Sequence, residues 1–181
     1  MNSRELGKFL CLILRHQPEV IGLNLDSKGR VQVSELIAKV NAQSRFALNR
    51  ELLEEIVRTD NKQRYSLSED HSLIWANQGH SLSVSVDLMK IEPPDVLYHG
   101  SATRFVSSIK EQGLLPMSRL YVHLSGDKAT AYKVGERHGK VVVYEIAAAR
   151  MSAQGFQFYR SANGVYLVKS VPVEFLTLLE D

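Results

Sequence analysis

The chain has 181 residues, 44% hydrophobic and 23% charged, enough for one large domain or two small ones. Its single cysteine, Cys11, excludes an intramolecular disulfide and fits a reducing compartment. Residues 1–92 carry 12 Lys+Arg against 12 Asp+Glu and residues 93–181 carry 10 against 8, so neither half is a polybasic clamp for nucleic acid.

Ser3 can cap a first helix, whose apolar stripe of Leu6, Phe9, Leu10, Ile13 and Leu14 recurs at three and four. Arg15 and His16 end that helix and Pro18 stops it. Cations suit the negative end of a helix dipole, so capping alone accounts for this pair locally. Gly22 to Leu25 reads as a short strand, Asp26-Ser27-Lys28-Gly29 as a turn, and Val31 to Val33 as extended chain. Ser34 is expected to cap a second helix that turns Leu36, Ile37 and Val40 inward. Asn49 is expected to cap a third, with Leu52, Leu53, Ile56 and Val57 on its buried face. Arg64 to Ser68 and Leu73 to Ala76 read as a hairpin around Glu69-Asp70-His71-Ser72. Helices followed by a hairpin are similar to a winged helix, a fold that often meets nucleic acid.

Pro93-Pro94 divides the chain, because two prolines continue neither a helix nor a central strand. The expected domains are 1–92 and 93–181. Asp95 to His99 reads as a strand entering Gly100. Thr103 caps a short helix through Phe105, Val106 and Ile109, closed by Gly113. Leu120 to Leu124 is extended, and Asp127 caps a helix running to about Arg137. Lys140 to Ile146 is the clearest strand; Phe156 to Tyr159 and Val165 to Val168 flank an Asn163-Gly164 hairpin turn. The fold class is α+β, its second half a compact lobe of short strands and helices. No apolar run approaches the roughly 20 residues that span a bilayer, and the N-terminus is no secretory signal, so a cytoplasmic, non-membrane protein is expected.

The eleven glycines form neither a dinucleotide-binding nor a P-loop fingerprint. The six histidines and one cysteine show no tight metal-ligand spacing, so no metal is expected. What the chain does have is Arg15-His16, Arg64, Tyr98-His99-Gly100-Ser101 and the run from Arg119 to Ser125. In that run Arg119, Tyr121, His123 and Ser125 would share one strand face, a poor core face and a good polar ligand face. Gly100 after a strand allows close approach of a ligand to the backbone. Taken singly, His99 and His123 read as satisfied, half-buried histidines. His71 reads as exposed, His80 as a loop residue that is structural or touches nucleic acid, and Phe158-Tyr159 as packing.

Several motifs in order give a specific likeness: Leu14-Arg15-His16-Gln17-Pro18, Gly22-Leu23-Asn24-Leu25-Asp26, Lys62-Gln63-Arg64, Gln78-Gly79-His80-Ser81 and Leu97-Tyr98-His99-Gly100. Val122-His123-Leu124-Ser125, Arg137-His138-Gly139-Lys140 and Asn163-Gly164-Val165-Tyr166 extend it. The chain resembles the NAD-dependent RNA 2'-phosphotransferase family, often called tRNA 2'-phosphotransferase after its part in tRNA splicing. The resemblance implies a winged-helix RNA-binding lobe followed by a small ADP-ribosyltransferase-like NAD lobe. It implies removal of an internal RNA 2'-phosphate in two steps, through an ADP-ribosylated RNA. The products are 2'-hydroxyl RNA, ADP-ribose 1'',2''-cyclic phosphate and nicotinamide.

By the same resemblance, the catalytic group is Arg15, His16, Arg64 and Arg119. NAD, consumed as co-substrate, falls to His99, Gly100, Ser101, His123, Leu124 and Ser125. Lys62 is a candidate for the substrate phosphate, with a solvated lysine as its plain alternative. Guanidinium forks match phosphate oxygens and stay charged, which suits a group carrying nearly two negative charges. His16 would orient the phosphate or a ribose hydroxyl and shuttle a proton. A monomer is expected. Two alternatives are an ADP-ribosyltransferase for another acceptor (a protein, small molecule or terminal nucleic-acid phosphate) and a winged-helix DNA-binding regulator. Three arginines argue against a neutral acceptor, and the balanced charge of residues 1–92 argues against duplex binding.

Overall fold

The computed structural model describes residues 3–84 and 88–179. The chain divides into two compact units, Met1–Asp87 and Leu88–Asp181. The cap expected of the Ser3 side chain lies outside the described residues.

In the first unit, helix α1 (Ser3–Arg15) buries Leu6, Leu10, Ile13 and Leu14 completely, as its stripe predicts. A 3-10 helix, Pro18–Ile21, follows, and Gly22 closes it by donating its N–H to Glu19 O. Gly22 to Leu25 is therefore no strand. Leu23 is buried and Asn24 exposed, so an alternating pattern is present without a ladder partner. Strand β1 (Arg30–Gln32) runs straight into α2 (Val33–Gln43). Ser34 is thus inside the helix and caps nothing; the Val33 N–H donates instead to Ser72 O at 2.8 Å, so sheet pairing replaces a side-chain cap. Helix α3 (Arg50–Thr59) is capped as expected: Asn49 Oδ1 accepts the Leu52 N–H at 2.8 Å. Strands β2 (Tyr65–Leu67) and β3 (Leu73–Ala76) form the expected hairpin. β3 also pairs antiparallel with β1, so it is the central strand of three. Helices α2 and α3 bury Val33, Leu36, Val40, Leu53 and Ile56 in one core with Ile74 and the α1 stripe.

The second unit opens with β4 (Met89–Ile91), ahead of Pro93-Pro94, paired with β8 (Phe158–Arg160). Strand β5 (Leu97–Ala102) pairs with β7 (Val141–Ile146), which pairs in turn with β10 (Leu176–Leu179). A second antiparallel sheet has the order β4-β8-β9-β6, with β6 at Val122–Leu124 and β9 at Tyr166–Val168. Tyr98 and Ser125 exchange two backbone hydrogen bonds of 2.8 Å, tying β5 to the chain just after β6. Helix α4 (Val106–Gln112) ends at Gly113, and α5 (Lys128–Gly135) is capped by Asp127, whose Oδ1 accepts the Thr130 N–H at 2.7 Å. Helix α6 (Ala148–Ala153) was not expected. The whole is an α+β chain.

Candidate active site

In the first unit, Arg15 and His16 close α1, and the loop after β3 folds over them. Ser81 donates its N–H to Arg15 O at 3.0 Å, and its hydroxyl lies 2.9 Å from His16 Nδ1. Gly79 lies against the Arg15 guanidinium. It has φ +87°, and a Cβ there would stand 3.4 Å from Nη1 and 3.5 Å from Cζ, so the guanidinium rests on bare main chain. Arg15 Nε and Nη2 form the edge that grips an oxyanion through parallel hydrogen bonds. Both are buried with no hydrogen-bond partner among the described residues. A buried donor left unpaired costs about 1–3 kcal/mol, so its presence in a folded protein points to a ligand.

His80, left open between structure and RNA contact by its loop position, is 2% exposed. Its Nε2 faces Gly29, where a Cβ would come within 3.2 Å. Burial, reinforced by the Arg15 and His16 charges, lowers its pKa to about 4, so the ring is neutral near pH 7.

Arg64 stands just ahead of β2. Its Nη1 is 3.2 Å from Asp60 Oδ1 and its N–H donates to Asp60 Oδ2 at 2.7 Å. The buried hydroxyl of Tyr65, next in chain to Arg64, donates to Gly7 O at 2.7 Å and lies 2.9 Å from Cys11 Sγ, one helical turn before Arg15. The Asn77 N–H donates to Arg64 O at 2.8 Å, and Gly79, two residues on, lies against the Arg15 guanidinium. The unit therefore brings Arg15, His16 and Arg64 into one neighbourhood; Lys62 is exposed beside Arg64. Asp60, Asn77, Gly79 and Ser81 were not assigned roles in sequence. Their contributions pass through hydrogen bonds or packing to residues that are distant in the chain or lie across a turn.

In the second unit, Arg119 and Tyr121 do not lie on a strand. The ladder begins only at Val122, because Pro116 and Met117 hold the preceding residues in a turn, with the Arg119 N–H donating to Pro116 O at 3.0 Å. Arg119 reaches His123 by another route: Nη1 lies 2.8 Å from His123 Nδ1. A guanidinium only donates, so His123 Nδ1 accepts and its ring proton sits on Nε2. His99 Nδ1 donates to His123 O at 2.9 Å, leaving its Nε2 as an acceptor. Burial holds the His99 pKa below its usual value. The two histidines thus take opposite tautomers.

Gly100 has a packing reason of its own. A Cβ there would stand 1.7 Å from Ala131 O, because α5 lies flush against β5. Leu124 is 2% exposed and faces the core, so only its main chain can meet a ligand. Ser101 is buried and Ser125 half-buried.

Comparison with known proteins bears on both units. The family model described as RNA 2'-phosphotransferase, Tpt1 / KptA family matches residues 1–170. A protein of Acaryochloris marina (strain MBIC 11017) named Probable RNA 2'-phosphotransferase is 48% identical over 177 residues, covering 98% of this chain and 97% of the relative. One of the same name from Pectobacterium carotovorum subsp. carotovorum (strain PC1) is 50% identical over 175 residues, covering 95% and 92%. A third, from Hahella chejuensis (strain KCTC 2396), is 49% identical over 174 residues, covering 96% and 93%. With the family model matched over residues 1–170 and relatives about half identical over nearly the whole chain, this chain belongs to the RNA 2'-phosphotransferase, Tpt1 / KptA family.

Proposed function

We propose that this protein removes an internal 2'-phosphate from RNA by transferring it to NAD, giving 2'-hydroxyl RNA, ADP-ribose 1'',2''-cyclic phosphate and nicotinamide. The observation that carries the reading is the unpartnered Nε–Nη2 edge of Arg15. A phosphomonoester bears nearly two charges and three acceptor oxygens, and a guanidinium fork matches it in both charge and shape. The order of helices and hairpin in the first unit supports a winged-helix RNA lobe.

The second unit's donor set fits NAD. His99 Nε2 accepts a ribose hydroxyl; His123 Nε2–H, Ser101 and Ser125 supply donors; Gly100 and Leu124 offer main chain. When bound, NAD supplies a ribose that loses nicotinamide from its anomeric carbon and takes the phosphoryl group on its 2''-hydroxyl. Arg15 and Arg64 bind the RNA phosphate and hold its nucleophilic oxygen in place. Arg64 and Arg119 stabilise the charge that builds on the phosphoryl oxygens during transfer. His16, steadied by Ser81, orients the phosphate and moves a proton at its Nε2.

The test is a short RNA with one internal labelled 2'-phosphate, incubated with and without NAD. NAD-dependent loss of label into a cyclic phosphate of ADP-ribose supports the reading. Retention of label by a folded, NAD-binding protein overturns it in favour of another acceptor.

A further inference from the structure

Arg64 follows a residue held in a sparsely populated conformation. Gln63 has φ +45°, in the left-handed region that side chains other than glycine seldom adopt. Two side chains hold the kink from opposite sides. Asp60 accepts the Arg64 N–H at 2.7 Å and the Lys62 N–H at 3.4 Å, while its carbonyl accepts the Gln63 N–H at 2.8 Å. Asn77 Nδ2 donates to Gln63 O at 2.7 Å, its Oδ1 accepts the Ser66 hydroxyl at 2.7 Å, and its N–H donates to Arg64 O at 2.8 Å. Asn77 is 4% exposed, and the Asp60 side chain 9%. Asp60 then returns to the same arginine at its tip, 3.2 Å from Nη1.

We infer that Asp60 is a positioning residue for Arg64, fixing both the root and the tip of that side chain, and that Asn77 locks the Gln63 kink that aims it. The inference rests on Arg64 as a phosphate-binding group. A long side chain carries several rotatable bonds, and its freedom must be lost before it can grip an oxyanion. A carboxylate that already holds Nη1 and the backbone N–H removes that freedom in advance, leaving the rest of the guanidinium directed. The chemistry needs this at Arg64 more than at Arg15, whose guanidinium is laid down on Gly79 by packing. The same pairing keeps a nearly buried acid next to a cation, so Asp60 and Arg64 form a unit that loses most when only one partner is removed.

The experiment has two arms. In the first, NMR follows the Arg Nε–H signals of the full chain with and without Asp60→Asn, which keeps an acceptor for the backbone N–H and removes the charge. The Arg64 signal is expected to be ordered in the natural protein and mobile in the variant, with Arg15 unchanged. An Arg64 signal equally ordered in both overturns the inference. Asp60→Ser, which also retains a backbone acceptor, serves if Asp60→Asn does not fold. In the second arm, Asp60→Asn, Arg64→Ala and the double variant are assayed on 2'-phosphorylated RNA with NAD. Asp60→Asn is expected to raise KM for the RNA about tenfold, within the range for a misplaced positioning group. In the Arg64→Ala background it should add nothing, because it acts through Arg64. Multiplying losses in the double variant indicate a general structural role and overturn the inference. A natural protein inactive on the RNA would count against the functional reading instead, while the NMR arm still decides the placement of Arg64.

Discussion

Arg119 Nη1 donates to His123 Nδ1 at 2.8 Å, while the His123 carbonyl receives the Nδ1–H of His99 at 2.9 Å. One residue thus connects an exposed cation to a half-buried imidazole and sets both rings in opposite tautomers. Nitrogen-15 spectra of the free protein near neutral pH should show His123 protonated at Nε2 and His99 at Nδ1. Arg119→Ala should abolish the preference at His123 and leave His99 unchanged. His99→Asn, whose amide can still donate to the His123 carbonyl, should keep the fold. By losing the Nε2 acceptor it should weaken NAD binding about tenfold, as expected for one neutral hydrogen bond. Calorimetry with NAD would measure it.

Arg64→Ala and Arg119→Ala should slow the loss of phosphate from RNA more than they slow nicotinamide release. In the proposed reaction, transfer at phosphorus builds more charge on the phosphoryl oxygens than loss of nicotinamide does, and removing one donor that stabilises such charge lowers a rate by about 100-fold or more. Single-turnover assays that follow both products separate the two. Equal slowing of both would show that the arginines serve binding alone.

His80 makes stability depend on pH. Its imidazole titrates at about 4 in the folded chain against a reference of 6.5. Between those values the unfolded chain binds the extra proton, so stability is full above about pH 6.5 and falls as the pH drops towards 4. At about 1.4 kcal/mol per pKa unit, the loss is on the order of 3 kcal/mol. Urea unfolding across that range should show the slope, and His80→Gln should flatten it. Parallel slopes in the two proteins would place the titration elsewhere.

Gly100→Ala should destabilise the second unit by about 3 kcal/mol or more, since its Cβ would meet the main-chain oxygen of Ala131 and not a yielding side chain. Ser101→Ala should leave the melting temperature nearly unchanged and act on NAD affinity. Thermal unfolding of the two variants, with NAD titrations alongside, separates a packing glycine from a hydroxyl that serves NAD in the proposed function.

Structure is legible in the sequence where one element supplies its own reason. The α1 stripe, the Asn49 and Asp127 caps and the β2–β3 hairpin depend on residues within a few positions of each other. Ser34 failed as a cap because a partner far along the chain, Ser72, supplied the hydrogen bond instead. Gly22 to Leu25 failed as a strand for want of a neighbour, and α6 went unseen because it is six residues long with no side-chain cap. The candidate site divides the same way. Arg15, His16 and Arg64 could be picked out by residue type and motif. Asp60 and Asn77 could not, because what marks them is the strained Gln63 backbone between them, which appears only in three dimensions. Arg119 joins His123 through a side-chain hydrogen bond and not through the shared strand face that its spacing predicts, because the chain before it turns at Pro116 and Met117.

The 12 basic residues of positions 1–92 are matched by 12 acidic ones, so RNA gripped by a few guanidiniums displaces few condensed counterions. Each phosphate neutralised on a single strand contributes about −0.7 to the slope of log affinity against log salt. A hold on one phosphomonoester therefore leaves affinity shallow in salt, where a protein tracking many phosphates loses orders of magnitude. Under the proposed function, the affinity for RNA is then set by one phosphate site, not by the length of strand bound.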